Sequence, residues 1–187
     1  MLRDATFNDL NRADERSSGA EFVMDEDTFR AFYERTARGV WGYLMRVTAD
    51  PQLADDLLQE TYYRFLRASA SHDSEPHRRN SLYKIATNLA RDARRRTFTR
   101  PTAMIFRDDV EPAAQGDHAT ATERRTDLAR AMSRLKPRER AMLWLAYAEG
   151  ASHNEIAFVL GVKPGSMKLL LFRARRRLAK LLKGSAA

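Results

Sequence analysis

The sequence predicts an all-α protein made of two small helical domains joined by a flexible linker. Apolar residues recur at steps of three and four in both halves of the chain, which is the period of an amphipathic helix. No segment shows the strict apolar–polar alternation of a half-buried strand. Between the two periodic blocks lies a stretch with two prolines, a glycine and many small residues, which is typical of a linker. A length of 187 residues suffices for two small domains.

The first domain is predicted to hold three helices. The stripe of its first helix consists of Phe29, Phe32, Tyr33, Val40, Trp41, Leu44 and Val47. Asp50 is placed to cap the second helix, with Pro51 at the first helical position, where a missing N–H costs nothing. The inner face of that helix consists of Leu53, Leu57, Leu58, Thr61, Tyr62, Phe65 and Leu66. A loop is expected over 69–80, followed by a third helix over 81–96.

The second domain carries a helix-turn-helix pattern. Ser152, followed three residues later by Glu155, forms a capping box that starts a short helix. Gly161 supplies the left-handed turn that ends it, and Pro164 begins a longer helix that Gly184 is expected to close. A short helix, a glycine turn and a longer basic helix are typical of DNA-binding domains. The apolar side of the longer helix consists of Met167, Leu171, Ala174, Leu178 and Leu181.

Charge in the second domain is concentrated on this longer helix. The segment 163–183 contains eight lysines and arginines and no acid. A solvent-exposed helix usually mixes both signs, so an acid-free helix favours an anionic partner such as the DNA backbone. An ordinary helical hairpin with a solvated basic face is the alternative.

The patterning divides the chain into four segments: a polar leader at 1–24, the first domain at 25–96, the linker at 97–123 and the second domain at 124–187. The leader lacks an apolar stretch and does not read as a signal peptide. The linker carries two arginines against five carboxylates, so it is acidic inside a protein of net charge +8. That net charge alone does not distinguish nucleic acid, a membrane surface or a solvated basic surface.

Composition excludes several kinds of function. The chain has no cysteine, which excludes disulfides, thiol catalysis and cysteine-ligated zinc and fits a reducing cytoplasm. The four histidines lack metal-ligand spacing, and no apolar run approaches the roughly 20 residues that span a bilayer. We therefore expect a cytoplasmic protein without a metal, a cofactor, catalytic residues or membrane insertion.

Three segments resemble the sigma-70 family of RNA polymerase sigma factors. DPQLADDLLQETYYRFLRA is similar to regions 2.1–2.2, with the family's Asp-Leu-x-Gln-Glu core at Asp56, Leu57, Gln59 and Glu60. SLYKIATNLARDARRR is similar to regions 2.3–2.4, and MSRLKPRERAMLWLAYAEGASHNEIAFVLGVKPGSMKLLLFRARRRLAKLL to region 4. Order, spacing and length resemble the extracytoplasmic-function group, which has regions 2 and 4 without a folded region 3. The resemblance covers most of residues 25–183.

The resemblance implies a non-enzymatic subunit that binds core RNA polymerase and directs transcription initiation at −10 and −35 promoter elements. The polymerase-docking residues would be Asp55, Asp56, Gln59, Glu60, Tyr63 and Arg64. Acids at a helix start also suit the helix dipole, which is a purely structural alternative. The acidic linker would occupy the polymerase cleft as a nucleic-acid mimic or would act as a tether.

The resemblance also implies two DNA-binding surfaces. The residues expected at the −10 element are Asn80, Tyr83, Lys84, Asn88, Arg91, Arg94 and Arg95. Those expected at the −35 element are Ser152, Ser166, Lys168, Leu169, Phe172, Arg173 and Arg176. Tyr83 could equally be a core aromatic, and Asn88 could pair with Asp92 one turn away.

Two departures from the family pattern bear on these surfaces. Ser81 stands where the family commonly has tryptophan, which leaves open the residue that lines the −10 melting pocket. Leu169 and Phe172 stand where members usually carry polar or basic residues. They could contact thymine methyl groups, lie under an anti-sigma protein, or pack against region 2 in a closed form, and we favour the last two over the first. An anti-sigma partner is expected, with a monomer when no partner is bound.

The rival function is a stand-alone helix-turn-helix regulator whose N-terminal helices bind a ligand or dimerise. Residues 53–67 favour the sigma factor, since a ligand domain has no need for an outward face of acids and glutamine beside a basic helix.

Overall fold

The computed structural model describes residues 24–68, 74–99 and 119–185, and every regular element in these ranges is an α-helix. The helices are α1 (Glu26–Thr48), α2 (Pro51–Arg67), α3 (Glu75–Thr99), α4 (Ala119–Ser133), α5 (Pro137–Tyr147), α6 (His153–Leu160) and α7 (Pro164–Ser185). The all-α prediction is confirmed. Residues 1–23 of the predicted leader and most of the predicted linker lie outside the described residues.

Helices α1, α2 and α3 pack against one another as a first unit. Asp25 caps α1 by accepting a hydrogen bond from the Thr28 backbone N–H at 2.9 Å. Asp50 caps α2 by accepting one from the Leu53 N–H at 3.1 Å, with Pro51 in the first turn as predicted. These two caps fix where the chain enters each helix, because they satisfy backbone donors that no helical carbonyl reaches.

Two hydrogen-bonded pairs lie inside the first unit. The Thr87 hydroxyl donates to the Tyr83 carbonyl oxygen at 2.7 Å, so the Tyr43 hydroxyl donates to Thr87 Oγ1 at 2.6 Å. Burial raises the pKa of Tyr43 to about 12. In the second pair, Thr36 donates to the Phe32 carbonyl, and Tyr62 lies 2.7 Å from Thr36 Oγ1. Buried polar groups of this kind are tolerated because each has a partner.

Helices α4 to α7 form the second unit, which contains the predicted helix-turn-helix. Ser152 and Glu155 form the capping box of α6, and Gly161 ends that helix at φ 63°, as the sequence indicates. Met167 and Ala174 on α7 are fully buried. The expected stop at Gly184 is wrong by one residue, since α7 runs to Ser185.

Three details of the first unit differ from the prediction. Helix α3 begins at Glu75, so the predicted loop 69–80 is too long and Asn80 lies on the helix. Tyr33 and Trp41 are exposed although they belong to the predicted apolar stripe, while Tyr43, which the stripe omits, is fully buried. A long helix that packs against several neighbours buries more than one stripe, and this widens the inner face beyond a single line of residues.

The two units lie against each other. Helix α1 packs on α5, and α3 packs on α6, the first helix of the helix-turn-helix. We call the contact of α1 and α3 with α5 and α6 the interdomain interface.

We predict that Thr87→Val destabilises the protein by about 1–3 kcal/mol, because it leaves the buried Tyr43 hydroxyl without an acceptor. Urea denaturation followed by circular dichroism gives the free energy of unfolding. The double variant Tyr43→Phe/Thr87→Val removes both polar partners and should recover part of the loss. Equal destabilisation in the single and double variants would contradict the assigned hydrogen bond.

Candidate polymerase and nucleic-acid interfaces

The outward face of α2 carries the residues predicted to dock on the polymerase. Asp55, Asp56, Gln59, Tyr63 and Arg64 are exposed, and Glu60 is half-buried. All six project from one helix, so the structure brings them together on a common surface.

Several of these side chains already have partners within the chain. The indole N–H of Trp41 donates to Asp55 Oδ1 at 2.6 Å, and Arg64 Nε pairs with Glu60 Oε1 at 2.6 Å. Asp56 and Gln59 lie on the same exposed surface. The Trp41 contact was not predicted from the sequence, because it joins residues of two helices whose relative rotation a periodicity pattern does not specify.

The residues predicted at the −10 element fall into three groups on α3. Asn88, Arg94 and Arg95 are exposed. A second group faces α6 across the interdomain interface and is described below. Within the described chain, no hydrogen bond joins Asn88 to Asp92, the alternative pairing that the sequence suggests.

Tyr83 alone forms the third group. It is buried, with only 2% of the residue exposed. The ring makes an edge contact with Tyr43, with the two centroids 5.3 Å apart. Burial raises the pKa of the Tyr83 hydroxyl well above its usual value, and the negative charge of the nearby Glu149 carboxylate adds to the shift. The expectation that Tyr83 stacks on a promoter base is therefore wrong for this conformation, and the core alternative describes it.

Three −10 residues contact the second unit. Asn80 Nδ2 donates to Glu155 Oε1 at 3.0 Å, and Arg91 Nη2 donates to the Leu160 carbonyl oxygen at 3.3 Å. The ammonium nitrogen of Lys84 lies 4.0 Å from the centroid of the Phe158 ring. Hydrogen bonds from Asn80 and Ser152 hold the pKa of Glu155 below its usual range.

The residues predicted at the −35 element are all exposed on the second unit. Ser152 caps α6 and is exposed, as are the α7 residues Ser166, Lys168, Leu169, Phe172, Arg173 and Arg176. Two other arginines of α7 turn toward their own unit. Arg177 pairs with Glu139 at 3.3 Å, and Arg175 donates to the Tyr147 hydroxyl at 3.2 Å. The basic residues of α7 therefore divide into an outward set and a structural set.

Leu169 and Phe172 are each 51% exposed on α7. Of the three explanations that the sequence left open, packing against region 2 does not describe them in this conformation. A different aromatic residue, Phe158 of α6, makes that contact, with its ring beside His77 and Lys84 of α3.

Within the described ranges, no helix is both long and apolar enough to cross a membrane. No group of three or more histidine, aspartate or glutamate side chains there is placed to hold a metal ion.

Comparison with known proteins assigns the family. Residues 32–98 match the model of sigma-70 region 2, and residues 125–178 match that of sigma-70 region 4. The RNA polymerase sigma factor CarQ of Myxococcus xanthus is 31% identical over 84% of this chain and 90% of its own length. The ECF RNA polymerase sigma factor SigL of Mycobacterium tuberculosis is 30% identical over 87% of this chain and 93% of its own. The chain belongs to the extracytoplasmic-function group of the sigma-70 family.

A solved sigma factor has the same fold. The RpoE structure from Bartonella quintana, a complex with the anti-sigma factor NepR, matches this sigma factor with a TM-score of 0.66 at 23% identity. The match covers 83% of this chain and 96% of that one. The first and second units are accordingly called region 2 and region 4 from here on.

We predict that Leu169→Ser/Phe172→Ser leaves the fold intact, with each change altering the free energy of unfolding by no more than about 0.5 kcal/mol, because both side chains are at the surface. Met167→Ser, on the buried side of the same helix, should cost several times more. Chemical denaturation compares the three proteins. Equal losses in the surface and buried variants would show that Leu169 and Phe172 belong to the core.

Proposed function

We propose that this sigma factor binds core RNA polymerase through the outward face of α2 and recognises promoters through two surfaces, α3 at the −10 element and α7 at the −35 element. One observation carries the proposal: this family member combines an acidic, glutamine-bearing face on α2 with exposed basic residues on α3 and α7. The sigma factor supplies promoter specificity and carries out no covalent chemistry itself.

The α2 face supports docking on a basic partner. Asp56 and Gln59 are exposed side by side with Tyr63, which is 53% exposed. A partly exposed tyrosine among charges is a frequent anchor of protein interfaces, because it buries a large apolar ring and keeps a polar end. Trp41 orients Asp55 at the edge of this face.

The α3 face supports contact with a displaced strand. Arg94 and Arg95 are exposed for contact with phosphates, and the exposed Asn88 can donate to and accept from base edges. Asn80, Lys84 and Arg91 have the same chemistry, and they would have to leave their region 4 partners to contact DNA. Unstacking a base costs about a few kcal/mol of free energy, and binding to these side chains has to offset that cost. Tyr83 takes no part in this proposal, because its ring is in the core.

The α7 face supports duplex DNA in the major groove. Ser166 and Lys168 lie in its first turns, the part of a recognition helix that meets base edges, and Arg173 and Arg176 follow at helical spacing for phosphates. Leu169 and Phe172 lie between these groups, where they would meet either thymine methyl groups or a protein.

We further propose that an anti-sigma protein covers the patch made by Leu169 and Phe172. The two side chains are exposed on a basic helix, and apolar patches rimmed by charge are typical of protein interfaces. The solved relative RpoE is a complex with an anti-sigma factor. We place the sigma factor in the cytoplasm as a monomer when no partner is bound.

The first experiment mixes the pure sigma factor with bacterial core RNA polymerase. We expect a stoichiometric complex on gel filtration that melts promoter DNA, measured by permanganate reactivity of unpaired thymines. Asp56→Arg should weaken binding to core by about tenfold or more, because it places like charges against the basic partner. Glu34→Arg, an exposed charge reversal on α1, serves as the matched control. Failure of the unmodified protein to bind core would favour the stand-alone regulator instead.

A second experiment distinguishes the outward basic residues of α7 from those that pair within region 4. Arg176→Ala should weaken binding to a duplex promoter fragment and reduce the slope of log K against log salt by about 1, because one phosphate contact is lost. Arg177→Ala removes an arginine one position along the same helix that pairs with Glu139, so the slope should stay the same. Anisotropy titrations over a range of salt give both slopes. Equal slope changes would show that the outward face is not the DNA surface.

A further inference from the structure

Two arginines lie one helical turn from the point where α1 packs on α5. A Cβ atom placed on Gly42 of α1 would lie 2.8 Å from Cζ2 of Trp144 on α5, so the two helices approach closely there. Arg46 follows Gly42 by four residues, and Arg140 precedes Trp144 by four residues. Residues four apart share a face of an α-helix, so each arginine lies on the side of its helix that meets the other helix. The Cζ atom of Arg46 lies 6.0 Å from the centroid of the Trp144 ring.

The guanidinium of Arg140 is partly withdrawn from water without a partner for each of its donors. Arg140 is half-buried, and its Nε atom is shielded from solvent and has no hydrogen-bond partner among the described residues. No carboxylate in the described ranges forms an ion pair with Arg140 or Arg46. Buried donors are nearly always hydrogen-bonded in folded proteins, so this nitrogen indicates a place for an external acceptor.

A third arginine adds to the positive charge at this point. Burial lowers the pKa of Arg140 below its usual value, and the positive charges of Arg94 on α3 and of Arg46 add to that shift. An arginine nevertheless stays charged at neutral pH, so three like charges from three helices lie near one another. Like charges at such separations repel, and an anion among them would offset the repulsion.

A phosphate group suits this cluster better than a carboxylate does. The planar guanidinium presents forked N–H donors that match the oxygens of either group. A carboxylate brings one negative charge, whereas a phosphomonoester brings about −1.5 to −2 at neutral pH and three acceptor oxygens. Arginines that approach from three helices can therefore each donate to a different phosphate oxygen.

We propose that Arg46, Arg94 and Arg140 bind the phosphate group of a nucleotide or of a nucleic-acid strand at the junction of α1, α3 and α5. Arg140 supplies the shielded donor, and Arg46 supplies a charge from α1 beside the Trp144 ring. Arg94 supplies the charge from α3. The site goes beyond the proposed function, because Arg46 and Arg140 belong to none of the surfaces on α2, α3 and α7 described above.

Binding is followed through the fluorescence of Trp144, which lies at the site. The chain has two tryptophans, and Trp41→Phe removes the other emission, so this variant is the parent protein of the titration. We expect pyrophosphate, added at constant ionic strength, to change the Trp144 emission in a saturable way. Arg140→Met should weaken the apparent affinity by about tenfold or more, because it deletes a charge-assisted donor fork and keeps an apolar stem.

An exposed arginine on the same helix provides the matched control. Arg138→Met, two positions away, should change the affinity by no more than about twofold, because exposed charges are screened by salt. Arg46→Met tests the site from α1 and should weaken binding as Arg140→Met does. Equal losses in Arg138→Met and Arg140→Met would indicate general attraction to a basic surface and would overturn the site. The lack of a saturable change in the parent protein would overturn it too.

Thermal unfolding distinguishes a ligand site from a structural role of Arg140. In phosphate-free buffer, Arg140→Met should unfold at the parent's Tm or above it, because it removes a shielded charge that two others repel. At a pyrophosphate concentration of about ten times Kd, the parent's Tm should rise by about 3–6 °C and the variant's by no more than about 2 °C. A lower Tm of the variant in phosphate-free buffer would show that Arg140 has a structural partner and would overturn the proposal.

Two further probes identify the source of the phosphate. A nucleoside diphosphate and an oligothymidylate are each titrated into the parent protein and into Arg140→Met. A loss of about tenfold for the diphosphate alone assigns the site to a small nucleotide, and such a loss for the oligothymidylate assigns it to a nucleic-acid backbone. No loss with either probe would overturn the proposal. Binding to core polymerase is measured separately, so failure of this site leaves the proposed function unchanged.

Discussion

Helix α1 has to pack on two sides at once, and the rest of the molecule is arranged around that requirement. One side, with Phe32, Val40 and Leu44, completes the core of region 2. On another side, a Cβ atom placed on Gly42 would lie 2.8 Å from Cζ2 and 2.9 Å from Cη2 of Trp144 in region 4, so the glycine allows this close approach. Helix α1 therefore contacts α2, α3 and α5 at once, and its sequence has to suit both regions.

Local features of this fold could be read from the sequence because they depend on neighbours along the chain. The cap at Asp50, the capping box of Ser152 and Glu155, and the glycine turn at Gly161 each involve residues within a few positions of one another. The buried side of α7 follows from helical periodicity for the same reason. The family resemblance added what periodicity lacks, namely the roles of the outward faces, and the family is confirmed by the matches to regions 2 and 4.

Features that depend on residues distant in the sequence could not be predicted from helical periodicity. Tyr83 has a core position because Tyr43 and Glu149, far along the chain, surround it. Trp41 is exposed because its indole N–H donates to Asp55 on α2 instead of packing in the core. The sequence did raise a closed form, but it named Leu169 and Phe172 as the contact, whereas Phe158 makes it. Exposure on a helical wheel identifies which residues lack a partner within their own domain, and it does not identify which of them another domain will cover.

The two oxygens of the Glu155 carboxylate accept hydrogen bonds from different partners. Oε2 accepts from the Ser152 backbone N–H and completes the cap of α6, while Oε1 accepts from Asn80. Replacing Glu155 would therefore remove the cap of α6 and the hydrogen bond to region 2 together. Phe158 contacts His77 and Lys84 of region 2 and takes no part in the cap, so a change there would alter the contact between the regions alone.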